Sequence, residues 1–258
     1  MNALEFKELT SLLLLIPFGL IVITGVIFIL AAIRWARQQA LQSLLSERDP
    51  DDPTTSRRGG GRQFLFSQPT RWIAIKGGTL KSVLNALGLH DPIPCSWEDG
   101  IIEARDRKIF VSPQVEGWIL VVGSGLPDPA DDVDRCFHFL TRLSRKLGHV
   151  QFFSANRVLN HHSWALLDQG EVFRAYAWAG ETLWNQGPLT AAEKELKLRC
   201  FEYAGNRLSG IQKEAVISNT ERVNRLAARW SIDPMSISED VWNTEQGIVG
   251  DFSRSKPN

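Results

Sequence analysis

An excess of charge of either sign is missing from this chain: 29 Lys and Arg stand against 29 Asp and Glu in 258 residues. Nucleic-acid-binding proteins show a basic excess or patch, so the balance argues against that class of partner. Cysteine is scarce. Cys95, Cys136 and Cys200 are far apart and odd in number, which argues against a disulfide framework and against the closely spaced ligand pairs of a zinc site. Free thiols in a reducing compartment follow. The chain has no Walker loop, no G-x-S-x-G elbow and no H-E-x-x-H pair. Gly123-Ser124-Gly125 invites a nucleotide-loop reading, but Asp128 stands where the third fingerprint glycine belongs. The aspartates that follow would repel a pyrophosphate. No metal and no cofactor is expected, no internal repeat is present, and no catalytic motif stands out.

What the chain has in plenty is one apolar run. Leu9–Ile33 spans 25 residues without a charged side chain. A helix satisfies its own backbone polar groups, as a lipid environment demands. At ~1.5 Å per residue the run would be roughly 37 Å long, enough to cross a ~30 Å hydrocarbon core with some tilt. It is too long for a signal-peptide core, and no A-x-A cleavage site follows it. Lys7 stands alone on its amino side, whereas Arg34, Arg37 and Arg48 follow it. That bias places the C-terminal body in the cytoplasm. The expectation is a single-pass protein of the inner (cytoplasmic) membrane, with a short tail at 1–8 and the lipid bilayer as partner through Leu9–Ile33. A juxtamembrane helix and flexible linker should fill 34–69, where Pro50, Pro53 and Gly59–Gly61 break regular structure. Phe64–Phe66 form an apolar island near its end.

The remainder reads as one α+β domain over 70–238, followed by a disordered tail at 239–258. Arg71–Lys76 alternates and is β-prone. Thr79 can cap a short helix that Gly88 ends. Gly100–Ala104, Ile109–Ser112 and Trp118–Gly123 read as strands, with PQVEG as a hairpin turn. A long helix follows, with Asp128 as its N-cap and Gly148 past its end. Val133, Cys136, Phe137, Leu140, Leu143 and Leu147 fall on its apolar side. Arg135, His138, Arg142, Arg145, Lys146 and His149 fall on the opposite side. Solvation alone explains such a stripe, while lipid headgroups or an acidic partner would give it a function. Strands are expected at Val150–Arg157, Ser163–Leu167 and Val172–Ala179, the last two joined by a hairpin at DQGE. Thr190 and Glu193 form a capping box. Residues 205–218 read as loop, and Thr220–Trp230 as a helix. Hairpin-like connections outnumber crossovers, so a single, mostly antiparallel sheet is expected, with helices packed on one face.

The richest constellation lies on the strands of Val150–Glu181. Arg157, His161, His162, Arg174, Trp178 and Glu181 are the candidate binding residues, because Trp and Arg are favoured anchors of binding surfaces. Aromatic residues on strands are also ordinary core, and Arg174 could simply pair with Glu181. His161 and His162 are adjacent, so on a strand they point to opposite faces and do not chelate together.

The strings GWILVVGSGLPDP, LSRKLGHVQFFSANRVLNHHSWA and RAYAWAGE resemble a bacterial membrane-anchored α+β protein family of unknown function, over about 71–234. The resemblance implies a recurrent bacterial domain and carries over no functional residue. The architecture is also similar in style to small immunity proteins of bacterial toxin systems. The expected function is a membrane-tethered cytoplasmic protein-interaction module, immunity-like or regulatory, with a protein partner. The alternative is an enzyme with a site on the Val150–Glu181 strands.

Overall fold

A computed structural model describes residues 70–203 and 210–252. Nine strands form one sheet: β1 Thr70–Lys76, β2 Leu89–Cys95, β3 Lys108–Val115, β4 Trp118–Val122, β5 Val150–Asn156, β6 His161–Asp168, β7 Glu171–Trp178, β8 Thr182–Gln186 and β9 Gly247–Phe252. Their order is β2-β9-β3-β4-β1-β5-β6-β7-β8, and all neighbours are antiparallel. The helices are α1 Leu80–Leu87, α2 Trp97–Glu103, α3 Val133–Leu147, α4 Ala191–Glu195, α5 Gly210–Trp230 and α6 Glu239–Thr244. The α+β class and the antiparallel sheet are as expected. Among the described residues no helix is long and apolar enough to cross a membrane. Leu9–Ile33, the linker at 34–69 and Phe64–Phe66 lie outside them.

Local chemistry accounts for most boundaries. The Thr79 hydroxyl accepts from Ser82 N, and Gly88 closes α1 at φ 64°. The two tight hairpins, β3–β4 and β6–β7, turn through Glu116-Gly117 and Gln169-Gly170, with φ of 51°, 83°, 49° and 88°. Two successive positive φ values match the twist of the flanking strands. The first hairpin is therefore tighter than the PQVEG turn expected, because β3 continues through Val115, opposite Trp118.

Helices cover both faces of the sheet, not one. Strand alternation sends Trp72, Ala74, Phe153, Trp164, Tyr176 and Trp178 to a face that packs on α2, α5 and α6. Ile73, Ile75, Val150, Phe152, Ala175 and Ala177 go to the opposite face, under α1 and α3. Central strands with apolar residues at both parities, such as Trp72–Ile75, expose costly surface unless both sides are covered. The first face is rich in tryptophan and the second is aliphatic. Ala175 and Ala177 leave room for α3 to approach, burying Cys136, Phe139, Leu140 and Leu143.

Three local expectations are corrected, and one strand is irregular. Gly100–Ala104 is the end of helix α2 and its C-cap, not a strand: the Ser96 hydroxyl caps Asp99 N, and Trp97 and Ile101 are buried. Gly100 is required there, since a Cβ would stand 2.1 Å from the Phe110 ring. Asp132, not Asp128, caps α3, while Asp128 closes a preceding turn by accepting from Ala130 N. Helix α5 begins at Gly210, so 210–218 is helix, not loop. A bulge at Phe173 puts Val172 opposite Leu167 and Arg174 opposite Leu166. Val172 therefore packs on the aliphatic face, and Phe173 is exposed.

The largest correction is at the C-terminus. The tail expected from 239 instead forms α6 and β9, and β9 lies between β2 and β3. Trp242 stacks on Trp97 at 5.2 Å. The domain therefore extends past 238 to at least Phe252. The full chain truncated after Ser238 loses the strand that joins β2 to the sheet. It should unfold or aggregate well below the full chain's melting temperature, with ~3–5 kcal/mol lost from Trp242 alone. Paired thermal melts check this, and equal melting temperatures would contradict it.

Candidate functional site

The six candidate residues do not converge on one site. Arg157 and Glu181 are exposed on turns. The Glu181 carbonyl only accepts from Ala179 N. His161, half-buried, rims a cleft with Asp128, Ser154, Asn156, Ser163 and Leu183; His162 and Trp178, whose side chains pack on the tryptophan-rich face, also belong to its lining. Its empty volume, open solvent included, is about 280 Å³. Trp178 is 6% exposed and packs on Phe201 at 5.3 Å.

Arg174 is 1% exposed and Glu193 0%. They form a buried pair, Nε to Oε1 at 2.8 Å, so the partner of Arg174 is Glu193 and not Glu181. The same carboxylate oxygen accepts from Trp164 Nε1 at 2.8 Å. The other oxygen accepts from Thr190 N and Oγ1, both at 2.8 Å. Arg174 Nη1 donates to Asn185 Oδ1 and to the carbonyls of Ala175, Gln186 and Gly187. Its Nη2 donates to Cys200 Sγ at 3.0 Å. A buried charge pair is tolerated only when its remaining donors and acceptors are met, and here they are.

Around this pair the polar chain continues. Tyr176 Oη accepts from Phe201 N at 3.1 Å, and burial pushes its pKa up to about 12. Burial also pushes the Cys200 thiol up to about 12, although Arg174 pulls it the other way. A thiol so poised is not a nucleophile at neutral pH. His162, on the same face, contacts Thr220 Oγ1 through Nδ1 at 2.9 Å and Asn219 Nδ2 through Nε2 at 3.4 Å. The Asn219 amide must donate, and Thr220 donates to the Val216 carbonyl. The ring is therefore neutral, with its proton on Nδ1. Burial, then the neighbouring His161, lower its pKa to about 3. Asn219 also clamps the Arg199 backbone through both its amide atoms. This arrangement holds charge and polarity inside the fold; it offers no free acid, base or nucleophile.

Glu193, Asn185, Cys200, Asn219 and Thr220 were outside the expected set. Glu193 is visible in the sequence only as the third residue of a capping box. The available signal was Arg174 itself: an arginine amid strand aromatics needs a carboxylate, and the one it meets is Glu193, beyond the strands. The Gly123-Ser124-Gly125 loop is structural. Ser124 Oγ donates to the Arg105 carbonyl at 2.7 Å, and a Cβ at Gly125 would meet the Arg107 carbonyl at 2.5 Å. All three cysteines are free. Among the described residues no group of three His, Cys, Asp or Glu side chains is placed to hold a metal.

No family model, no curated protein and no solved structure matches the chain.

Two outcomes follow from this geometry. Glu193→Ala should cost ~3–5 kcal/mol, because it strands the Arg174 guanidinium in the core. The double replacement Arg174→Met/Glu193→Leu should recover much of that loss, as measured by denaturant melts. The second concerns pH. Above about pH 6.5 neither the native nor the unfolded chain protonates His162. Below it the unfolded chain takes a proton that the native ring refuses until about pH 3. Stability should thus fall on acidification by up to about 1.4 kcal/mol per pH unit across that window. The His162→Gln chain should show a shallower slope in denaturant melts between pH 7.5 and 4.5.

Proposed function

We propose that the chain is a membrane-tethered cytoplasmic protein-interaction module, immunity-like or regulatory in kind. It is held at the inner membrane by Leu9–Ile33 and presents the outer side of α3 to an acidic partner protein. The observation that carries this reading is the two-sidedness of α3. Cys136, Leu140 and Leu143 are buried against the sheet, while Arg135, His138, Arg142, Arg145 and Lys146 are exposed. No acidic residue occurs between Asp134 and Asp168, so nothing within that stretch neutralises the stripe. In a chain of zero net charge, such segregation favours one oriented complex over general polyanion binding.

The alternative reading, an enzyme on the Val150–Glu181 strands, rests on the cleft at His161. Ser154 and Ser163 are 9% and 4% exposed, face each other across β5 and β6, and have no hydrogen-bonded side-chain partner among the described residues. The buried Arg174–Glu193 pair does not reach that cleft's lining, so it adds no charge to a reaction there.

Affinity capture of the full chain from solubilised membranes tests the first reading. The triple reversal Arg135→Glu, Arg142→Glu and Lys146→Glu should weaken stoichiometric partner capture roughly tenfold or more. Exposed substitutions of this kind should shift stability by only about 0.5 kcal/mol each. Capture indifferent to the reversal would remove α3 from the account. A reporter fused after Gln63 should show cytoplasmic behaviour, and a periplasmic signal would overturn the orientation.

A further inference from the structure

We propose that the cleft beside His161 binds the ammonium group of a small alkylamine. The site needs neither the Leu9–Ile33 anchor nor a partner at α3, and binding there makes and breaks no covalent bond, so it stands or falls apart from both readings above. Strand alternation sets the floor of the cleft. His161 and Ser163 lie on the same face of β6 as Ala165 and Leu167, and Ser154 lies on the face of β5 that carries Val150 and Phe152. Ser154 is directly opposite Ser163. Opposed residues on neighbouring strands have Cβ atoms roughly 4.5–5.5 Å apart, so both hydroxyls can reach one atom placed between them. The two serines are 9% and 4% exposed, and neither hydroxyl has a hydrogen-bond partner among the described residues. Polar side chains this deeply buried ordinarily have one. Ala177, beside Ser163 on β7, is too small to fill the space over them. Pro129 and Ala130 wall it on the side that leads into α3.

Charge decides what fits between the serines. Asp128 lines the cleft, and no Lys or Arg does so among the described residues. Asp128 Oδ1 accepts from Ala130 N at 3.0 Å. Its Oδ2 is 3.6 Å from Arg71 Nη1, which is too long for a hydrogen bond, since that nitrogen is held at 2.7 Å by the Leu126 carbonyl. Oδ2 therefore keeps acceptor capacity. Asp131, Asp132 and Asp134 follow at the start of α3, and exposed Glu181 lies on the turn between the lining residues Trp178 and Leu183. Arg71, Arg135 and Arg157 only partly offset these carboxylates. The Asn156 oxygen is already taken by Val158 N and Leu159 N. The acceptors left open are Asp128 Oδ2 and the hydroxyls of Ser154 and Ser163, which match the three N–H donors of a primary ammonium. Pro129, Ala130 and Leu183 suit a short methylene chain behind it. Fixed negative charge beside partly desolvated acceptors favours a cation over an anion or a neutral alcohol.

The test titrates n-butylammonium into the full chain in an uncharged detergent, read by the backbone amide shifts of residues 154, 161–163 and 177. Butyrate and n-butanol serve as the anionic and neutral ligands of similar length. Butylammonium should shift these amides saturably, with a dissociation constant on the order of millimolar for so few atoms. The other two should bind about tenfold more weakly or less. Asp128→Asn retains an oxygen for Ala130 N and should weaken butylammonium about tenfold, and Ser163→Ala roughly threefold. Ser154→Ala should do the same and replaces Ser163→Ala if that chain fails to fold. Unchanged amide shifts across β3 and β4 without ligand separate lost binding from lost folding. Equal binding of alcohol and ammonium marks an apolar hollow, tighter binding of butyrate marks an anion site, and the lack of any saturable shift marks no site; each overturns the inference. Butylammonium binding indifferent to Asp128→Asn overturns it too.

Discussion

The buried pair of Arg174 and Glu193 is the interaction on which one whole layer of the domain depends. Neither charge reaches water, so every donor of the guanidinium and both oxygens of the carboxylate must be met from within. Meeting them recruits the end of β8 and its following turn, Trp164 on β6, the first residues of α4 and Cys200. The segment that carries Cys200 is then fixed to the sheet by Tyr176 and Thr182, and to α5 by Asn219. A five-residue helix such as α4 has no stability of its own. It is held because its capping glutamate is also the counter-ion of the core.

The other face uses a different principle. There the sheet is aliphatic, α1 and α3 lie on it, and alanines on β7 set the close approach. No charged network is needed, so the charged residues of α3 are free to face outward. This asymmetry bears on function. The residues that look most like chemistry, His162, Arg174, Tyr176 and Cys200, are committed to holding the tryptophan-rich face together. The exposed charge of α3 lies across the sheet from them, on the side where we propose that a partner docks. The acid sensitivity expected from His162 belongs to the same commitment, since its neutral ring bridges β6 to α5.

Signals contained within a few residues were legible in the sequence. The Thr79 cap, the Thr190 capping box, Gly88, the turn at Gln169-Gly170 and the apolar side of α3 are each local chemistry with a local reading. Two-sided burial was also written into the chain, in the unbroken run Trp72–Ile75 and in Ile119–Val122, but periodicity favoured a one-sided sheet. The larger part of what escaped was non-local. Gly247–Phe252 is a short apolar run at the chain's end, and only its pairing with β2 and β3 makes it a strand. Gly100–Ala104 combines a glycine with two isoleucines and reads as extended, until Ser96 caps it and Phe110 fills the space over Gly100. Arg174 announced a partner, yet Glu181 was the candidate while the fold supplied Glu193. The misses at Gly247–Phe252 and at Arg174 trace to contacts that no window of the sequence contains, whereas the Ser96 cap of α2 and the Asp132 cap of α3 are local.

The polar cluster beneath α4 and α5 is scaffold, closed to solvent, which is why we propose the outer surface as the place of recognition. Hydrogen exchange of the Arg174 Nε and Trp164 Nε1 protons in the full chain, followed by nitrogen-edited NMR, tests it most directly. If the pair is scaffold, both protons should exchange only as fast as the most protected backbone amides of β6 and β7, that is, through global unfolding. Exchange orders of magnitude faster than those amides would show that the cluster opens to solvent on its own, and would contradict the account.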